Sequence, residues 1–367
     1  MPSDSSSPAI PRKGFVEIMQ MSRLPDDTET TKGSVIKRFV SHQPAWVPGS
    51  ELPWAKLGLV AQPFNRSFGG HVYIQSPLAA ARVVEDEARS SNDSSKGKFG
   101  IHSIQGVFTN AGHSDRPFVY QVTDIASTRS FSTHLVTARQ PTQPSSQPTG
   151  PYPASDADLP LGDVCFTCIT TFRRPVPSFA EEQVQSAQER YADILKQKAG
   201  DEWEASPQAD IDRIKDLFPN AGHGGFPILD MYKVDMTSYN ANKPVVERRE
   251  LILYRLHKPI PVEDANAHIL CHAFEADRNG LIMLGNHLGW GYNNGPVASL
   301  SYAFYVHTNA DEAVFRNDGW WIQEVYWPRV SAGRGTLESR IWSPEGKHVA
   351  SGYQDGICLP KERNGKL

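Results

Sequence analysis

His102-Ser103-Ile104-Gln105-Gly106-Val107-Phe108 and Ala298-Ser299-Leu300-Ser301-Tyr302-Ala303-Phe304 are two runs built alike. Each leads into a turn and then an aromatic-bearing strand, and each reads as a strand from its period-two pattern. Around both runs the same order of elements repeats. Before the first lies a helix over residues 71–88, with the strong helix-forming run Ala79-Ala80-Ala81 and with Pro77 early enough to be tolerated. Strand-like runs at 100–109, 118–125, 131–138 and 164–173 complete this unit. The second unit has extended runs at 228–237 and 248–257, a helix over 263–284, and strands at 298–307, 320–327, 336–343 and 348–358. Arg129-Ser130-Phe131 and Arg334-Gly335-Thr336 enter strands at matching places, so the chain reads as a duplicated helix-plus-strands scaffold.

The intervening segments divide the chain into residues 1–55 (a leader and first extended segment), 56–174, a helical linker 175–225, 226–360 and a tail 361–367. Residues 140–161, rich in Pro, Ser and Gln, read as a mobile surface loop. Val184, Ala187, Tyr191, Ile194 and Leu195 fall at helical spacing, which predicts an amphipathic helix over 180–199 and a shorter one over 209–218.

Composition narrows the function class. With 367 residues, 39% hydrophobic and 21% charged, the chain has the balance of a globular protein. A net charge of -4 argues against a nucleic-acid partner, which would select a basic face. No stretch approaches the roughly 20 apolar residues of a membrane span, and the Ser- and Pro-rich start is not a signal peptide. Cys165 and Cys168 form a C-x-x-C within a strand-like run, where residues three apart face opposite sides. They and Cys271 and Cys358 therefore read as buried structural thiols, with a zinc site at the C-x-x-C as the lesser alternative.

Several motifs are similar to those of the acyl-CoA thioesterase II family, the TesB-like double-hotdog enzymes, from about residue 64 to 360. Phe68-Gly69-Gly70-His71 resembles the family's Phe-Gly-Gly-Gln, and Arg129-Ser130-Phe131-Ser132 its strand entry. Ala276-Asp277-Arg278-Asn279 resembles Ser-Asp-Leu-Asn, Ala298-Ser299-Leu300 resembles Ala-Thr-Ile, and Ser351-Gly352-Tyr353-Gln354-Asp355-Gly356 resembles Ser-Thr-Val-Gln-Glu-Gly. The turn Thr109-Asn110-Ala111-Gly112 and the run Ser301 to Thr308 depart from the family pattern. The resemblance implies an α+β double hotdog, two tandem helix-wrapped antiparallel sheets joined into one extended sheet. It implies hydrolysis of acyl-CoA to a carboxylic acid and CoA without a cofactor, with Asp277, Ser299 and Gln354 holding the hydrolytic water.

The residue types suit that chemistry. A carboxylate can take the proton from water, while a hydroxyl and an amide can orient it. Gly70 and His71, at a helix start with unpaired N–H groups, are candidates for the oxyanion contact. Gly-x-Ser-x-Gly is absent, so a serine nucleophile of the α/β-hydrolase type is not indicated. The bland alternatives are a solvated helix carboxylate for Asp277, a turn cap for Ser299 and an outer-face polar residue for Gln354. His71 also reads as a helix-entry residue, and the aromatic group Trp320, Trp321, Tyr326 and Trp327 reads mainly as core.

Two rival functions remain at this stage. A non-catalytic acyl-CoA or acyl-carrier binding module would use the same fold. A hotdog enoyl-CoA hydratase would need Asp-x-Asn-Pro-x-His, but Ile282 stands at the His position of Asp277-Arg278-Asn279-Gly280-Leu281-Ile282. The final Gly365-Lys366-Leu367 resembles a peroxisomal address in two of three positions, with the cytoplasm as the other location. A homo-oligomer is compatible with the sequence, although one double-hotdog chain already supplies a paired unit.

Overall fold

The computed structural model describes residues 11–28, 35–49, 66–90, 97–206, 210, 218, 222–278, 280–316 and 319–361, apart from the side chains of Tyr292 and Asn294. Expectations for residues 1–10, most of 209–218, Asn279 and Gly365-Lys366-Leu367 lie outside the described residues. Thirteen strands appear among them: β1 (Met21–Thr28), β2 (Val35–Ser41), β3 (Gly100–Phe108), β4 (Val119–Ser127), β5 (Phe131–Arg139), β6 (Phe166–Arg173), β7 (Glu204–Ala205), β8 (Leu229–Lys233), β9 (Glu250–Leu256), β10 (Asn294–Val306), β11 (Trp321–Ser331), β12 (Arg334–Trp342) and β13 (His348–Pro360). They form one sheet in the order β1-β2-β4-β5-β6-β3-β10-β13-β12-β11-β9-β8-β7. The two alternating runs lie side by side at its centre, with β3 antiparallel to β10 and Tyr302 opposite Gly106. That pairing makes one extended antiparallel sheet of a double hotdog.

Three longer helices cover one face: α1 (Gly69–Ser90), α2 (Ala265–Ala276) and α3 (Gly280–His287). Ala79, Ala80 and Ala81 are fully buried, so α1 can approach its neighbours closely, and Tyr73 packs its ring 4.6 Å from that of Tyr302. Burial of Tyr73, Ile104, Phe166, Tyr302, Phe304 and Trp327 in one cluster supplies the main driving force. Pro77 lies in the helix interior and not near its start, because α1 begins at Gly69. Just before it, the Ser76 hydroxyl donates to the Val72 carbonyl at 2.8 Å.

Four expectations change. The helix predicted over 263–284 is two helices, broken after Ala276. Gly280 suits the redirection: a Cβ there would lie 1.9 Å from Leu337 Cδ1, so glycine lets α3 start against β12 without displacing that side chain. Its carbonyl also accepts the Trp327 indole N–H at 2.9 Å. The linker helix over 180–199 is reduced to single turns at Ala187–Arg190 and Ala192–Leu195. Those turns are held by the sheet: Arg190 pairs with the buried Glu324 at 2.6 Å, and the Tyr191 hydroxyl donates to the same carboxylate at 2.8 Å. Residues 140–161 are packed and not a free loop. Tyr152 is buried, its N–H donates to the His42 carbonyl, and Pro141 bridges to Leu161. Finally, the N-terminal segment supplies two strands, of which β1 is the sheet edge, and its charges and Pro25 suit that place.

Candidate active site

The break between α2 and α3 puts Asp277 at the C-cap of α2, with its carboxylate turned toward the start of α1. β10 and β13 bring up the other two residues from the sheet. Gln354 Nε2 donates to Asp277 Oδ1 at 2.6 Å and to Ser299 Oγ at 2.8 Å, and the Ser299 hydroxyl points at Asp277 Oδ1 from 3.4 Å. The three residues named from the sequence therefore meet, although they come from one helix end and two strands. Gln354 Oε1 is buried without a hydrogen-bond partner among the described residues, which leaves an acceptor beside the carboxylate.

Burial is the main influence on Asp277, which is only 6% exposed. It raises the carboxyl from 3.8 to about 7, against the pull of the Ser299 hydroxyl, the Gly70 N–H and the Gln354 amide. The end of α2 disfavours a negative charge there, whereas the start of α1 favours it. A carboxylate poised near neutrality can accept a proton from water and return it.

Gly70 is required by close approach. A Cβ at this position would stand 2.4 Å from Phe68 Cε1 and 3.2 Å from Asp277 Oδ2. Its N–H donates to the Asp277 carboxylate, so it acts on the candidate base. The expectation for His71 is corrected by the hydrogen bonding: its N–H is taken by the Phe68 carbonyl at 3.1 Å, which removes it as an oxyanion donor. Its ring is fully inside, donating from Nε2 to Gln75 Oε1 at 3.1 Å, while Tyr120 donates to that same oxygen. Burial holds this imidazole down at about 4, and hence neutral, as a core residue.

Other residues sort clearly. Asp355, next to Gln354 in β13, lies apart from the trio and pairs with Arg334 at 3.0 Å. Trp321 and Trp327 are core, whereas Trp320 packs on Tyr232 and Arg255. The four cysteines are buried and free, with Cys165 donating to the Ala138 carbonyl. Phe68 packs edge-on against Phe274, Trp46 and Phe226, making an aromatic wall next to Gly70.

Sequence reasoning passed over Glu275 and Arg278, which flank Asp277. Burial raises the Glu275 carboxyl to about 8, and neither oxygen has a hydrogen-bond partner among the described residues. Arg278 is buried over the Phe226 ring at 4.1 Å and donates to Ser206. In the sequence both look like ordinary polar helix positions, and the only hint was the apolar run Ala267 to Phe274 preceding them.

Comparison with known proteins gives a consistent picture. Residues 232–358, which contain all three trio members, match the family model described as acyl-CoA thioesterase C-terminal domain. Human acyl-coenzyme A thioesterase 8 is 24% identical over 321 residues, covering 82% of each chain, and the mouse protein of that name is 23% identical. Among solved structures, an acyl-CoA thioesterase II, TesB2, from Mycobacterium marinum superposes with a TM-score of 0.59 at 20% identity, covering 95% of this chain and 98% of that one. A hot dog fold protein from Alicyclobacillus acidocaldarius gives 0.57 at 12% identity, with 94% and 97% covered.

Proposed function

Since the chain belongs to the TesB-like acyl-CoA thioesterase II family, we propose that it hydrolyses acyl-CoA through a water held by Asp277, Ser299 and Gln354. The observation that carries this reading is the convergence of the three polar groups on one buried carboxylate next to a helix N-terminus. Water attacks the thioester carbonyl and gives its proton to Asp277. The tetrahedral adduct collapses, the C–S bond breaks, and the departing CoA sulfur takes that proton. Gln354 fixes the carboxylate with one N–H and the serine with the other, while its free Oε1 offers an acceptor for the second water proton. The start of α1 adds a favourable field for negative charge developing beside it.

Ile282 lies in α3, where a hydratase would need its second proton-transfer group, so hydrolysis fits this site better than hydration. The proposal extends to a role in fatty-acid metabolism. A peroxisomal location, expected from Gly365-Lys366-Leu367, belongs to it and is tested by imaging the tagged full chain with and without that tripeptide.

The deciding experiment is thiol release from a series of acyl-CoA chain lengths, with wild type and Asp277→Ala. Loss of a general base should cost about 10²–10⁴ in rate. An active Asp277→Ala protein would overturn the mechanism, and a folded wild type silent on every chain length would favour a binding module.

A further inference from the structure

We propose that the end of the α1 and α2 pair opposite Asp277 is a second ligand site, a non-hydrolytic cavity for a single acyl chain with an anionic head. The two helices run antiparallel: Gly70 meets Asp277 at one end, and Arg82 meets Asp264 at 2.9 Å at the other. The central strands β3 and β10 are antiparallel as well. An approximate twofold axis therefore runs between the halves, carrying the start of α1 onto the start of α2 and the start of β10 onto that of β3. A site built at one end has a geometric counterpart at the other.

The counterpart contains a cavity of about 910 Å³. That lies within the roughly 300–1,000 Å³ usual for small-ligand sites. Its walls include Val84, Phe99, Ile101, Pro261, Val262 and Ala310, which suit a hydrocarbon chain. Lys98 and Arg173 also line it. Arg82 is committed to Glu85 and Asp264, but Arg173 has no carboxylate partner among the described residues and reaches only the Thr308 carbonyl at 3.5 Å. A guanidinium so placed would recognise an anionic head group.

Hydrolysis is not expected there. At the position in α1 that Asp277 holds relative to the start of α2 stands Ala81, a buried methyl. The start of α2 is closed by its own side chains: Asp264 accepts the Ala267 N–H at 3.1 Å, and Asn266 accepts the Ile101 N–H at 2.8 Å. Duplication has thus left two clefts, one with a buried base and one without.

A fatty carboxylate and an acyl-CoA both present this chemistry. Calorimetric titration of Asp277→Asn protein with dodecanoate, and separately with dodecanoyl-CoA, distinguishes them by which probe gives the heat assigned to this cavity. Val262→Trp should fill the cavity mouth and remove one site per chain, and Arg173→Glu should weaken that site at least tenfold. Circular dichroism checks that both variants fold. Stoichiometry and affinity unchanged in both variants, for both probes, would overturn the proposal. Its fate is separable from that of the hydrolytic reading: an inactive wild type would sink the latter and leave this titration unaffected.

Discussion

Replacing Asp277 by Asn should change how stability depends on pH. The folded carboxyl titrates at about 7 and the unfolded one at about 3.8, because burial opposes its charge. Between these values the folded state holds a proton that the unfolded state has lost. Stability from this group is therefore complete below the unfolded value and is lost as pH rises through the folded one. Linkage gives a penalty of about 1.7 kcal/mol at about pH 5 and about 4 kcal/mol at about pH 8.5, a difference of roughly 3 kcal/mol. The Asn variant cannot ionise, so it should escape this slope. Its own cost is independent of pH: the amide nitrogen faces the Gly70 N–H or loses the Gln354 donor, about 1–3 kcal/mol. Urea unfolding of both proteins at the two pH values isolates the effect, because Glu275 titrates alike in both. The advantage of Asn over Asp should grow by roughly 3 kcal/mol from the lower to the higher pH. Parallel pH profiles would refute the assignment of a buried, raised carboxyl to Asp277.

Three further outcomes are expected. The rate of wild-type hydrolysis at low substrate should rise as pH passes through about 7, since Asp277 must be ionised to accept the water proton; a flat profile across that range would contradict the base assignment. Gly70→Ala should lose at least tenfold in kcat and about 1–3 kcal/mol of stability, because the new Cβ meets the rigid Phe68 ring; kinetics and thermal melts check it. Arg190→Leu should cost about 1–3 kcal/mol by removing the shortest ion pair of the buried Glu324, which keeps Tyr191, Trp342 and Arg249 around it, and adding Glu324→Gln should recover part of that in a double-mutant cycle.

Much of the fold was legible because burial repeats with the period of the element that creates it. β3 buries Ile101, Ile104 and Gly106 on alternate positions around a bulge, and α1 announces itself by three alanines. The trio was legible only through motifs, since nothing local says that Gln354 faces a helix end. The break at Asp277 was hidden because residues 263–284 keep an apolar helical pattern without a proline. Tertiary contacts decide it, through Leu337 against Gly280 and the Trp327 hydrogen bond. The linker misled in the opposite direction: Ala187 and Tyr191 have helical spacing, but they dock on a separate cluster with Trp203 and Trp342, and Val184 stays exposed. β1 escaped notice because an edge strand with charges on both faces shows no apolar alternation.

The central seam between β3 and β10 has a consequence for ownership of the site. Gly70 is contributed by one side of that seam, and Asp277, Ser299 and Gln354 by the other. Cleavage within the exposed stretch around Phe179 would sever the chain without cutting the sheet. The nicked protein should stay together and keep the proposed site whole, while each fragment alone would carry only part of it: activity at that site would be a property of association, written into a single polypeptide.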